Sequence, residues 1–360
     1  MFRILAVFLL IVCSCSAMNK REVKEIYNEP VDPVAKLSRP AENNQELLSF
    51  FKARSLQPAA LLIKEGADVN TVDADNGYTV LHYAAQCNDM GGIIFLAEQG
   101  AQLEKRDAQG RTPLEIAVVH GNKNAAHALL IKGAQYNGST SCGETYLHLA
   151  IKKHSLSLVK LLVDRGALIH KINTQLESPL VLAVLEDQLD ITKYLVEHGA
   201  DIKTTHQGST LLHTIAHKGS ADLCRYLISQ KCSIDAPNNE LMTPLHVASN
   251  MGNEPVLECL LDNGASVFST SKKSYSPLHY AVLGGQLGAV RILLNKGAAT
   301  EARTNHGDTP LHLAALHTHD AIIEELIKRG ANASAVTIDG RTVSDIVDEQ
   351  ERLKQQSQGY

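Results

Sequence analysis

Residues Thr309 to Ala315 read TPLHLAA, and residues Thr243 to Ser249, 66 positions earlier, read TPLHVAS. Working outward, a Ser or Thr opens a version of this phrase at Thr79, Thr112, Thr145, Ser178, Thr210, Thr243, Ser276, Thr309 and Thr342, at spacings of 33, 33, 33, 32, 33, 33, 33 and 33. A second mark follows each start by 21 residues: Gly-Ala at Gly100, Gly133, Gly166, Gly199, Gly264, Gly297 and Gly330, a row broken by Lys231-Cys232. A chain of 360 residues would ordinarily divide into two or three separate cores, but a fixed period of this length points to a repeat array.

Each mark has a physical cause. The Ser or Thr hydroxyl can accept a bond from an orphan amide at a helix start, and Pro at the next position gives up only a donor that would be unpaired. Leu stands two places on in the eight complete phrases (Leu81 to Leu311), with Ala three further on in seven, such as Ala117 and Ala314. That spacing puts Leu and Ala on one narrow helix face. A second helix follows, as in SLVKLLVDRG or GAVRILLNKG, with the Gly predicted to close it in the left-handed conformation. Turn formers such as AQLEKRDAQGR then reverse the chain. A pair of short helices cannot bury its apolar face alone, so neighbours must cover it.

The phrases TPLHVAS and TPLHLAA, with GADVN at Gly66 to Asn70, resemble the ankyrin-repeat family over residues 46 to 345. The resemblance implies an all-α solenoid of stacked helix-turn-helix units with projecting hairpin fingers, used for protein recognition and carrying neither catalysis nor cofactor. The domain reading is a repeat region at 45–345, with an N-terminal cap at 45–70 and units starting near 75, 108, 141, 174, 206, 239, 272 and 305. A C-terminal cap begins near 338, and residues 346–360 read as a polar tail. Polar outer faces at the ends stop further stacking.

Ahead of the array, Met1 to Val12 (MFRILAVFLLIV) has one Arg and then an apolar run too short to span a bilayer as a lone helix. It reads as a signal peptide, residues 1–17, with Cys15 and Ala17 at the positions a signal peptidase inspects. Cys15, preceded by Val12, Cys13 and Ser14, is also an imperfect match to a bacterial lipoprotein acceptor. The expectation is an exported protein of bacterial type, in the periplasm or cell envelope or secreted, the rival being a host-directed effector of an intracellular bacterium. Residues 18–44, with Pro30, Pro33 and Pro40, read as a polar linker.

Apolar residues at 44% and charged residues at 20% exclude wholesale disorder and a polytopic membrane protein. A formal charge of -5 gives no cationic field for nucleic acid. Contact with a membrane is expected only through a lipid anchor or uncleaved leader, and the chain is expected to be monomeric.

Six of the 16 His recur at one repeat position (His82, His148, His213, His246, His279, His312), which raises a metal-binding reading from another functional class. Equivalent helices lie roughly 8–10 Å apart, whereas two nitrogens on one zinc lie within about 4 Å of each other, so the row does not suit a metal site. In the resembled family this His is structural, bonding backbone near the hairpin. Glu115 replaces it in Thr112-Pro-Leu-Glu115, which reads as a capping box, and Val181 replaces it with neither capacity. His317, Thr318, His319 and Asp320 make the densest potential ligand cluster, read as an exposed helix connection. Of the Cys beyond the leader, Cys224 and Cys232 are the pair that could approach around a helix end; otherwise buried or unpaired thiols are expected. No GxSxG, Walker loop, HExxH or dinucleotide fingerprint is present.

A partner must be read by residues that differ between units. The position before each phrase runs Tyr78, Arg111, Glu144, Glu177, Ser209, Met242, Tyr275, Asp308 and Arg341, and the end of the first helix offers Lys152 and Lys153. Lys272, Lys273 and Tyr275 form the most basic finger. The candidate partner-binding set is therefore Tyr78, Arg111, Glu144, Lys152, Lys153, Met242, Lys272, Lys273, Tyr275 and Asp308, with Cys15 as a lipidation candidate. Between Ser178 and Met242 the pattern is irregular, losing one residue of spacing, the Gly before Cys232 and the turn Gly replaced by Leu241; Leu176 replaces the turn Gly just ahead. Altered curvature is expected around Lys231.

Overall fold

The computed structural model describes residues 40–52, 56–140 and 142–358. The chain divides into two compact units, residues 1–71 and 72–360. The signal peptide, Cys15 and most of the linker lie outside the described residues. In the first unit, α1 (Pro40–Lys52) and α2 (Leu56–Lys64) bury Leu47, Leu48, Phe51, Ala59 and Leu62. Asp68 N–H donates to Asn44 Oδ1 at 2.8 Å. The helix starts inside the segment read as linker, because Pro40 has the fixed φ of a first helical residue and the residues after it lead into a buried apolar face.

The second unit is a solenoid of helix pairs: α3 (Val80–Gln86) with α4 (Met90–Glu98), α5 (Pro113–Val119) with α6 (Lys123–Ile131), α7 (Tyr146–Lys152) with α8 (Leu156–Asp164), and α9 (Pro179–Leu185) with α10 (Leu189–Glu197). After the short hairpin β1 (Thr205–His206) and β2 (Ser209–Thr210) come α11 (Leu211–Lys218) with α12 (Ala221–Ser229), α13 (Pro244–Met251) with α14 (Glu254–Asp262), α15 (Pro277–Leu283) with α16 (Leu287–Asn295), α17 (Pro310–Leu316) with α18 (Asp320–Lys328), and α19 (Val343–Gln358). The recurring Leu and Ala of the first helices are at most 1% exposed, so the repeat phrase is the core itself. Their close approach follows from the small Ala face. The segment read as a polar tail, 346–360, is helical through Gln358: Val343 and Ile346 bury, and strong helix formers continue to the Gly at 359.

The Gly-Ala glycines do close the second helices with positive φ, between +86° and +98° from Gly100 to Gly330. Where Lys231 breaks the row it takes the same left-handed conformation, with φ +64°, and Leu176 and Leu241 do so in the fingers, with φ +61° and +56°. The backbone path is thus imposed by the stack even where the residue disfavours it.

Candidate recognition surface

The fingers are held by a device that sequence reading missed. Asp107 Oδ1 accepts from the N–H groups of Gln109 and Arg111 at 2.9 and 2.8 Å, and Asn173, Asn238 and Thr304 do the same for the residues two and four places on. These short polar side chains stand four residues before the variable position, at the repeat spacing, and that spacing was the signal available to find them. Among the described residues five joints between neighbouring fingers are stitched by a backbone bond: Ala108 N–H to Asn76 O at 3.0 Å, Thr174 to Cys142 at 3.4 Å, Lys272 to Glu240 at 3.0 Å, Asn305 to Lys273 at 3.1 Å and Ile338 to His306 at 3.0 Å. At Gly307 the approach is so close that a Cβ would lie 2.8 Å from Ile338 N.

The repeated imidazoles supply the second tie. In each of the six units, the Ser or Thr N–H at the helix start donates to His Nδ1, leaving the proton on Nε2, which donates to a carbonyl of the following finger. The acceptors are Arg111, Glu177, Met242, Tyr275, Asp308 and, in the last unit, Ala335. Burial pulls His82, His148 and His213 below the usual imidazole range, and takes His246 and His279 down to about 4. Both nitrogens are engaged, so these rings brace the array and have no lone pair free for a metal. Among the described residues there is no cluster of three metal-ligating side chains. His317 and His319 stack at 5.9 Å across Thr318, whose positive φ of +54° makes the helix connection.

Glu115 closes only half of the expected capping box. Thr112 Oγ1 accepts from Glu115 N–H at 3.2 Å and also bonds Tyr146 Oη at 2.8 Å, while burial pushes the Glu115 carboxyl up. The Thr112 hydroxyl thus serves both its own helix start and the next unit's Tyr. Cys224, Cys232 and Cys259 are free thiols; burial first, then the Cys259 thiol of the next second helix, push Cys224 up. Cys232 Sγ instead points at Ile202 O, 4.0 Å away.

The sequence-selected partner residues separate into three groups. Tyr78 is removed from the surface: it is 7% exposed because the Arg111 guanidinium lies over its ring at 5.8 Å and donates to its hydroxyl at 3.0 Å. Arg111 is itself held by Asp107 at 2.8 Å, so this pair braces two fingers. Glu144 and Lys152 pair with each other within one unit, leaving Lys153 exposed beside them. Met242 is half-buried, and Asp308 is half-buried with a carboxylate that accepts from Thr304 Oγ1. Lys272 and Lys273 are exposed, with Lys272 3.4 Å from Glu240, and Tyr275 stands half-buried against His279 and Tyr280. The finger tips also expose Leu176, Leu241 and Ile338, and the turn after α14 exposes Phe268, apolar residues that the sequence reading did not select for contact.

Finger 199–210 differs from the others. The missing residue converts its turn into a two-residue hairpin, with Thr205 facing Thr210, His206 facing Ser209, and Gln207 and Gly208 at φ +51° and +75°. Val181 stands where the bracing His would reach this finger. Among the described residues no backbone hydrogen bond of the stitching kind joins it to either neighbouring finger. Beneath it lies a cleft of about 390 Å³ lined by the hairpin and by α11.

Among the described residues no helix is long and apolar enough to cross a membrane. A family profile described as "Ankyrin repeats (3 copies)" matches residues 52–140, 135–206, 202–271 and 265–337. The chain is similar to Palmitoyltransferase ZDHHC13 of Mus musculus, 31% identical over 83 residues, which are 23% of this chain and 13% of that protein. It is also similar to Cyclin-dependent kinase 4 inhibitor B of Bos taurus, 30% identical over 107 residues, covering 30% of this chain and 79% of that protein. An ankyrin repeat protein of Rickettsia bellii is 36% identical over 89 residues, 24% of this chain and 48% of that protein. With the stacked pairs, the bracing imidazoles and a profile that spans most of its length, the chain belongs to the ankyrin-repeat family.

Proposed function

We propose that this protein is an exported scaffold that binds another protein through its finger tips and the adjoining first-helix ends, without catalysing a reaction on it. The observation that carries this reading is the division of labour along the repeat. Phrase residues are buried and tied to one another, while the residues before each phrase and at the finger tips change from unit to unit and include exposed Lys272, Lys273, Leu176 and Leu241. Mixed apolar and charged side chains on a rigid frame suit an interface with a few strong contacts. Proximity crosslinking of tagged protein in its native cell tests it. A discrete partner should be recovered, and Lys272→Glu with Lys273→Glu should reduce recovery at least severalfold while leaving the unfolding midpoint unchanged. Recovery of no partner would leave a spacer and contradict the proposal.

Export rests on the leader at residues 1–17. The N-terminus of protein from its native cell decides among its forms. A chain starting at Met18 supports cleavage and release, a lipid on Cys15 supports envelope anchoring, and an intact Met1 opposes both. Fractionation separates envelope retention from delivery to a host cytosol, the alternative that similarity to a Rickettsia protein keeps in view.

A further inference from the structure

We infer that the cleft beneath finger 199–210 is the seat for an acidic side chain of the protein partner, an inference that rests on the recognition reading above. Its origin is the one-residue deletion. The tight turn at Gln207-Gly208 folds His206 back over α11, where its Nδ1 is fully buried with no hydrogen-bond partner. A buried imidazole nitrogen without a partner is costly, and because the ring as a whole is only half-buried, turning it over presents that nitrogen to a group in the cleft. Lys218 and His217 stand at the rim, the hydroxyls of Ser209 and Thr214 line the same space, and no carboxylate is among the lining residues. The nearby Glu186 faces His154 of the preceding unit at 3.9 Å. His213, which also lines the cleft, has both nitrogens committed to Thr210 and Met242 and serves as wall. Leu185 and Val247 give the cleft an apolar floor suited to the methylenes of Glu. The combination of one cation, two imidazoles and two hydroxyls against an apolar base is complementary to a carboxylate on a short aliphatic stem. Neither a cationic nor a purely apolar side chain would satisfy the His206 nitrogen and Lys218 together.

The test uses the full chain labelled with ¹⁵N at histidine, titrated with N-acetyl-glutamate and, separately, with N-acetyl-glutamine. The ring signals of His206 and His217 should shift saturably with the acid, with an affinity of about 1–10 mM, and should not saturate with the amide. Lys218→Gln, a change at an exposed position, should weaken binding at least threefold, and His206→Phe should abolish it. Equal shifts with acid and amide, no saturable shift up to about 50 mM, or shifts indifferent to both substitutions would overturn the inference. Silent rings together with a partner crosslinked to the finger tips would remove this inference alone. Shifting rings with no recoverable partner would instead count against the recognition reading.

Discussion

His246 ties two repeat units together. Its Nδ1 accepts the N–H of Thr243 at 2.9 Å, and its Nε2 donates to the carbonyl of Tyr275, 29 residues away, at 3.1 Å. The same brace recurs in five other units, so a titratable group sits at most of the inter-unit joints.

Acid should therefore loosen the array in a defined window. His246 and His279 have folded-state values near 4 against an unfolded value near 6.5, because burial disfavours the charged ring and Nδ1 must stay unprotonated to accept. The unfolded chain takes up protons first, so stability is complete above about pH 6.5 and falls as the pH drops toward 4, each ring contributing on the order of 3 kcal/mol. His82, His148 and His213 shift in the same direction and add to the slope. Urea midpoints measured from pH 7.5 to 4 should decline across this range, and a flat profile would show the rings are not braces.

The forced left-handed positions should respond to glycine. Lys231→Gly restores the broken Gly-Ala row and relieves a side chain held at φ +64°, so it should stabilise by about 0.5–1 kcal/mol. Leu176→Gly should give a similar gain, since its exposed side chain loses little packing. Gly307→Ala should do the reverse, costing about 1–3 kcal/mol, because its Cβ would press on Ile338 N at a φ of +79°. Denaturant titration of the three variants checks all three signs.

Thr192 offers a change within the second helices. Its hydroxyl is completely buried in α10 with no hydrogen-bond partner, near the similarly unpartnered Gln188 Oε1. Thr192→Val keeps the shape and removes the stranded oxygen, so it should stabilise by about 1 kcal/mol. Thr192→Ser, which keeps the hydroxyl and loses a methyl group, should destabilise by a similar amount.

Most of the fold could be read from residues that repeat. Thr309-Pro310 and Gly330 mark helix boundaries by local chemistry, and Leu311 with Ala314 marks the buried face, so their recurrence carried the architecture. The surface was less legible because its contacts cross between units. Nothing in the order of residues shows that Arg111 would cover Tyr78, a residue 33 positions earlier. The deletion before Thr210 was visible as a spacing of 32, but the consequence at His206 depends on how a shortened hairpin meets α11. Finger stitches such as Asn305 to Lys273 involve backbone atoms alone and leave no mark on residue identity.

The claim that a partner is held along the fingers and first-helix ends is tested most directly by a photo-crosslinking residue placed singly at positions 176, 218 and 273, and at the second-helix positions 225, 258 and 324, all exposed. In native cells the first three should each capture the same partner, with capture at least tenfold above the second three. Equal capture from both sets, or capture from the second helices alone, would contradict the account.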